Sequence, residues 1–173
     1  MSNLAEEDKR DGFLLVEFSP QQFEEMNSEI PIIVADLGSQ LGGYLCAASL
    51  QSSAKIPLLA HMMSLFREVS FNSYALNRYR SFLYGPICIE KSFRGRGVME
   101  GLFNHLLHNL EEKFDVGVLF VSQNNPRSLH AHLSRLKMEK VCEFEFNDQE
   151  FNLLAFEVPT LRGTNGGEQI GKL

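Results

Sequence analysis

Residues 81–122 limit what this chain can fold into more than any other stretch. An apolar run, `SFLYGPICIE`, meets a turn of two arginines and two glycines, `RGRG`, then a helix-like segment, then a second apolar run, `DVGVLFVS`. In the middle segment Val98, Met99, Leu102, Phe103, Leu106, Leu107 and Leu110 recur at about 3.6 residues, so one helical face is apolar. Strand, helix and strand in that order predict a right-handed crossover and a parallel strand pair. `DVGVLFVS` lacks polar alternation, as a strand buried on both faces does. Gly85-Pro86 interrupts the first strand. Proline cannot donate to a ladder and glycine inside a strand marks a bulge, so a kink is expected there.

The remaining elements are read around that unit. `GFLLVEF` reads as a strand, and `SPQQFEEMN` as a short helix capped by Ser19 with Pro20 in its first turn. `IPIIVADL` and `YLCAASL` form a hairpin across `GSQLGG`. Leu58, Leu59, Met62, Met63, Phe66 and Val69 keep a helical period, which predicts an amphipathic helix over 55–70. `NPRSLHAHLSRL` begins a helix with Asn125 as cap and Pro126 behind it, and `VCEFEF` pairs with `FNLLAFEV` across `NDQE`. Residues 1–11 and 161–173 are polar and are expected to be mobile ends, which leaves one domain over 12–160.

Charge narrows the partners. Sixteen Lys and Arg against 22 Asp and Glu give −6, which argues against a broad nucleic-acid or anionic-membrane surface. Any anion has to be held locally. Cys46, Cys88 and Cys142 are odd in number and widely spaced, so they form neither a disulfide framework nor a zinc set. His105 with His108, and His130 with His132, lack a Cys or carboxylate at metal-ligand spacing, and no metal is expected. No run reaches the roughly 20 apolar residues of a membrane span, and a cytoplasmic protein is expected.

A strand that ends in a Gly-rich turn and feeds a helix aims unpaired N–H groups and the helix dipole at one point, a geometry suited to phosphate. Gly95 and Gly97 allow close approach, and Arg94 and Arg96 add charge. An ordinary tight turn with solvated arginines is the competing reading. A P-loop would need Lys-Ser/Thr after the glycines, and a dinucleotide fold Gly-x-Gly-x-x-Gly after an early strand; neither is present.

After a strand with a Gly-Pro break, `RGRGVM` resembles the pyrophosphate loop of the GNAT superfamily of N-acetyltransferases, whose pattern is Arg/Gln-x-x-Gly-x-Gly/Ala. Met99 replaces the usual final small residue. The resemblance spans about residues 13–158 and includes `NNPRSLHAHLSRLKM`, similar to the Asn-rich start of the helix after the family's fifth strand. It implies an α/β fold with a mixed, mostly antiparallel central sheet, whose parallel pair, the strands at 81–90 and 115–122, splays to admit acyl-CoA. It implies acetyl-CoA as cosubstrate and an amine of a small molecule or peptide as acceptor. The pyrophosphate would lie on Arg94, Gly95, Arg96, Gly97, Val98 and Met99, and the pantetheine beside the backbone of Ile87, Cys88 and Ile89. Asn125 and Ser128 match positions that contact the CoA arm, and capping by Asn125 is compatible with that role.

In the chemistry the resemblance implies, a neutral amine attacks the thioester, a strand N–H stabilises the oxyanion and an acid protonates the thiolate. The family's usual Tyr is missing, and His130, His132 and Ser134 occupy its region. His132, one turn beyond Ser128, is the candidate acid, against a structural helix histidine. Tyr84 is a second acid candidate, against a half-buried strand aromatic, and Glu90 a base acting through water, against an exposed carboxylate. Cys88 has no activating group at a recognisable offset. A non-catalytic acyl-CoA-binding or regulatory module is the alternative function, and a homodimer stays open.

Overall fold

The computed structural model describes residues 19–36, 38 and 40–159. The strand read at 12–18 and both terminal segments lie outside the described residues. The first described helix, α1 (Pro20–Glu29), starts with a reciprocal cap. Ser19 Oγ accepts from Gln22 N at 3.2 Å, and Gln22 Oε1 accepts from Ser19 N at 2.8 Å. It leads into the antiparallel hairpin of β1 (Ile33–Asp36) and β2 (Leu41–Ser49).

The helix expected over 55–70 is shorter: α2 covers Pro57–Ser64 and tightens into a 3₁₀ turn, Leu65–Arg67. A small hairpin, β3 (Ser70–Phe71) and β4 (Tyr74–Ala75), follows it. Asn72 and Ser73 at its tip adopt φ of 46° and 73°. Those left-handed residues are not glycines, which is why the turn was illegible in the sequence.

The crossover unit is β5 (Ser81–Ile89), α3 (Val98–Leu110) and β6 (Val116–Ser122). Then come α4 (Pro126–His130), and the hairpin of β7 (Glu139–Phe146) and β8 (Gln149–Glu157). Asn147 and Asp148 take φ of 51° and 57°, the left-handed pair a two-residue hairpin loop requires. The main sheet runs β1-β2-β5-β6-β8-β7, with β5 and β6 parallel and every other neighbouring pair antiparallel.

Each face of the sheet has its own core. Leu45, Ala47, Phe82 and Tyr84 pack under Met99, Leu102, Phe103 and Leu106 of α3. Leu83, Val116, Val118 and Leu153 pack with Leu59 and Met62 of α2 and with Phe66 beyond it. The same apolar stripe in α2 and its 3₁₀ extension that gave the helical period therefore covers the second face.

One break in this sheet positions the site. β5 and β6 pair only at Ser81↔Val116, Phe82↔Gly117 and Leu83↔Val118. Beyond Leu83, β5 stays with β2 as far as Gly43↔Ile89, whereas β6 stays with β8 to Ser122↔Phe151. The parting coincides with the expected kink. Ala47 faces Tyr84 and Leu45 faces Ile87, so two residues, Gly85 and Pro86, oppose the single Cys46. Gly85 holds φ of 102°, which L side chains rarely adopt, and the Gly85-Pro86 bond is cis.

Candidate functional site

The parted strands open a cleft of about 360 Å³. β5 contributes Ile87, Cys88 and Ile89; the following turn contributes Phe93, Arg94 and Gly95; α3 contributes Val98, Met99 and Glu100. The opposite wall is α4 and its continuation, with Asn125, Arg127, Ser128 and His132 among its residues. Three arginines, Arg94, Arg127 and Arg135, line the cleft against one carboxylate, Glu100. On a chain of net charge −6 that is a local cationic site.

The mouth is built by the Arg-Gly turn. Gly95 and Gly97 adopt φ of 76° and 81°, and no heavy atom lies within 4 Å of the place a Cβ would occupy at either. Gly97 is the N-cap of α3 and no side chain caps that helix. Val98, Met99 and Glu100 of the first turn of this thirteen-residue helix line the cleft, at the end where the helix dipole favours an anion. Arg94 Nε donates to Ile89 O at 2.9 Å, which ties the turn to the end of β5. Arg135 reaches Glu100 at 3.7 Å across the opening.

The opposite wall starts from Asn125, which is buried and accepts from Ser128 N through Oδ1 at 3.1 Å. After His130 the helix widens into a π turn, Ala131–Arg135, with Leu136 N bonding Ala131 O at 3.4 Å. Such turns recur at functional sites because the extra residue redirects side chains. Here the turn carries His132, which is 3% exposed. Its Nδ1 lies 2.7 Å from the carbonyl oxygen of Ser128. A carbonyl only accepts, so Nδ1 holds the proton and Nε2 of the neutral ring is bare. Burial pushes the imidazole down to about 4, with the Ser128 bond opposing that shift.

This arrangement bears on the acid role expected of His132. A ring that is neutral at pH 7, with its proton already donated to Ser128, has nothing at Nε2 to give a thiolate. Tyr84 packs edge-on against His132, with centroids 5.6 Å apart at 89°. It is buried in the aromatic core with Phe103 and Phe156, burial raises its hydroxyl well above the usual range, and it is not among the cleft-lining residues. Neither group is a ready acid. Tyr84 Oη and His132 Nε2 are both buried without a hydrogen-bond partner among the described residues.

Of the other residues singled out in the sequence, Ile87, Cys88, Ile89, Arg94, Gly95, Val98, Met99, Asn125 and Ser128 come together on the cleft. Met99 also packs into the α3 core, which accommodates its size at a position where the resemblance has a small residue. Three do not line it. Glu90 is exposed beyond the end of β5, its backbone N–H held by Gly42 O at 3.0 Å. Arg96 is exposed, with its guanidinium 5.8 Å from the Phe93 ring centre, and Gly97 serves as the helix cap. Arg127, Arg135 and Glu100 were missed. The signal was available, because 127, 131 and 135 lie one helical turn apart beside Ser128 and His132.

Among the described residues no group of three or more His, Cys, Asp or Glu could hold a metal ion. None of their helices is long and apolar enough to cross a membrane.

No family model and no curated protein sequence matches the chain. Solved structures do match in shape. The protein smu.2055 from Streptococcus mutans UA159 is 15% identical, over 84% of this chain and 81% of that one, with a TM-score of 0.57. The NatC complex bound to Gag peptide and CoA includes a chain 13% identical, over 84% of each, with a TM-score of 0.56. An N-acetyltransferase from Staphylococcus aureus Mu50 is 14% identical, over 72% of this chain and 69% of that one, with a TM-score of 0.51. At such identities the likeness is one of fold alone.

Proposed function

We propose that this chain is an acetyl-CoA-dependent N-acetyltransferase, a cytoplasmic single domain over residues 12–160 that acetylates an amine of a small molecule or peptide. One observation carries the reading: the uncapped N-terminus of α3 and its open glycine turn lie at the mouth of a cleft made where β5 parts from β6. A CoA-type ligand fits both halves. Its diphosphate suits the N–H groups and arginines at the mouth. Its amide-containing arm suits a strand edge that has lost its neighbour. The NatC neighbour was solved with CoA and a peptide, which agrees with this assignment.

Acetyl-CoA supplies an activated acyl thioester. The chain's part is to hold and orient it. Gly95 and the first turn of α3 with Arg94 fix the anionic end, and β5 beyond the bulge offers backbone N–H groups to the carbonyl oxygen. A neutral amine forms its bond to the carbonyl carbon as the carbon–sulfur bond breaks, and the amine's surplus proton ends on the thiolate or on solvent. Because thiolate is a good leaving group, the lack of a ready acid at Tyr84 or His132 slows this reaction without forbidding it.

That lack also favours a second reading, a non-catalytic acyl-CoA-binding regulatory module. Calorimetric titration of acetyl-CoA into wild type and Arg94→Ala, followed by thiol-release assays with a panel of amines, separates the two. Binding that weakens at least tenfold in the variant, with thiol release, supports the transferase. Binding without release from any amine supports the module, and no binding by wild type removes both.

A further inference from the structure

Three polar atoms on or beside the cleft, His132 Nε2, Tyr84 Oη and Glu100 Oε2, are buried without a hydrogen-bond partner among the described residues, and His132 specifies which ligand group would suit it. Its Nδ1 proton is committed to Ser128 O at 2.7 Å, with Ser128 Oγ at 3.3 Å beside it, so Nε2 presents a lone pair only. Nε2 has no partner among the described residues although the side chain is buried, and an unmet buried acceptor costs free energy. Tyr84 does not fill the need: the rings touch edge to face, yet both polar atoms remain unpartnered. The cleft that His132 lines includes the apolar side chains of Ile87, Met99 and Ala131. A neutral N–H donor suits that lone pair, since the one carboxylate lining the cleft, Glu100, is already engaged by Arg135 at 3.7 Å and the three arginines there disfavour a further cation.

The position along the cleft narrows the choice further. His132 lies against Tyr84, the residue immediately after the last β5–β6 pair, Leu83↔Val118, whereas the Arg-Gly turn lies past the far end of β5. A ligand with its phosphates on the turn therefore brings its opposite end to His132. In acyl-CoA that end carries an amide N–H two carbons from sulfur, and the thioester itself has no donor. We propose that His132 is a cosubstrate-binding residue whose Nε2 accepts the amide N–H nearest the thioester. This rests on the acyl-CoA reading and gives His132 a role distinct from acid catalysis. It makes the histidine a selector for a neutral amide at the reactive end of the arm.

Two measurements test it on the full chain. In the ¹⁵N-labelled protein, imidazole correlation spectra should show His132 as the Nδ1–H tautomer from pH 5.5 to 8. Adding CoA should move its Nε2 resonance without protonating it. Separately, the affinities of acetyl-CoA and an analogue with that amide N–H replaced by an ester oxygen are measured on wild type and His132→Phe. Wild type should lose roughly 3- to 10-fold for the analogue, the worth of one neutral hydrogen bond, and the variant should not distinguish the two ligands. An Nε2–H tautomer, or equal discrimination by both proteins, overturns the proposal while leaving CoA binding intact. Failure of wild type to bind either ligand overturns the acyl-CoA reading and this proposal together. If His132→Phe does not fold, the spectra of wild type still decide.

Discussion

The same two strands, β5 and β6, behave in opposite ways at their two ends. At the closed end Arg80 and Asp115 clasp the strands before pairing begins. Arg80 N, Nε and Nη2 all donate to the Asp115 carboxylate at 2.7–3.3 Å, Arg80 Nη1 donates to Glu112 O at 2.8 Å, and Asp115 N donates to Arg80 O at 2.8 Å. Three residue pairs later the strands separate, and the open end holds a bare imidazole nitrogen, an unpartnered phenol and an uncapped helix. The clasp's paired charges hold the closed end still, although Ser81 Oγ in the first β5–β6 pair has no partner among the described residues, whereas the unmet His132 nitrogen and the α3 terminus border a cleft. The molecule places the two within one strand length of each other.

If the closed end is scaffold, the largest effect of any single change there should be on stability. Gly117 pairs with Phe82 on one side and Phe156 on the other, and the Phe156 ring lies over its Cα. A Cβ at 117 would run into that ring, which is itself fixed against Phe82, Tyr84 and Phe103. Gly117→Ala should therefore lower unfolding free energy by about 3 kcal/mol, measured by urea denaturation. A loss below about 1 kcal/mol would mean that the ring cluster gives way easily and the closed end is not rigid.

At the open end the cost should appear in binding. Gly95→Val forces a β-branched residue into a left-handed backbone and fills the space above the turn. Affinity for CoA should fall roughly 10- to 100-fold, the worth of one charge-assisted hydrogen bond, with a smaller change in stability than Gly117→Ala. Equal losses in both properties would erase the contrast. Glu100→Gln should act in the opposite sense. It removes the carboxylate that engages Arg135, so CoA should bind roughly 2- to 5-fold more tightly at low salt, with the gain shrinking as salt rises.

The closed end was legible in the sequence and the open end only in part, for a physical reason. Hydrophobic periodicity reports what is buried, so α3 was read at its observed bounds, Val98–Leu110, and the parallel crossover followed from it. Gly85-Pro86 located the kink, at which the strands also part, because glycine and proline carry backbone information in their own chemistry. Tautomer and burial do not show in a residue's letter. His132 looks identical as an exposed acid and as a buried acceptor, and only its 2.7 Å contact with Ser128 O separates them. Likewise Glu90 and Arg96 are close to the site in sequence, yet their side chains leave it.

The smallest effect should come from the clasp, and its pH dependence gives its sign. Hydrogen bonding to Arg80 holds the Asp115 carboxyl below its ordinary value, with desolvation opposing. A depressed folded value means that the carboxylate contributes stability above the unfolded value of about 3.9 and loses that contribution as pH falls through the folded one. Both side chains are partly exposed, so water screens much of the pair's attraction. Asp115→Asn should therefore be modestly less stable than wild type at pH 7, by less than any other closed-end change argued above. The gap should persist to pH 5 and close below about pH 4. CoA affinity at pH 7 should not change, because the clasp lies on the far side of the last β5–β6 pair from the cleft. A variant that loses CoA affinity in proportion to stability would show that the two ends of β5 are coupled and that the splay depends on the clasp that begins it.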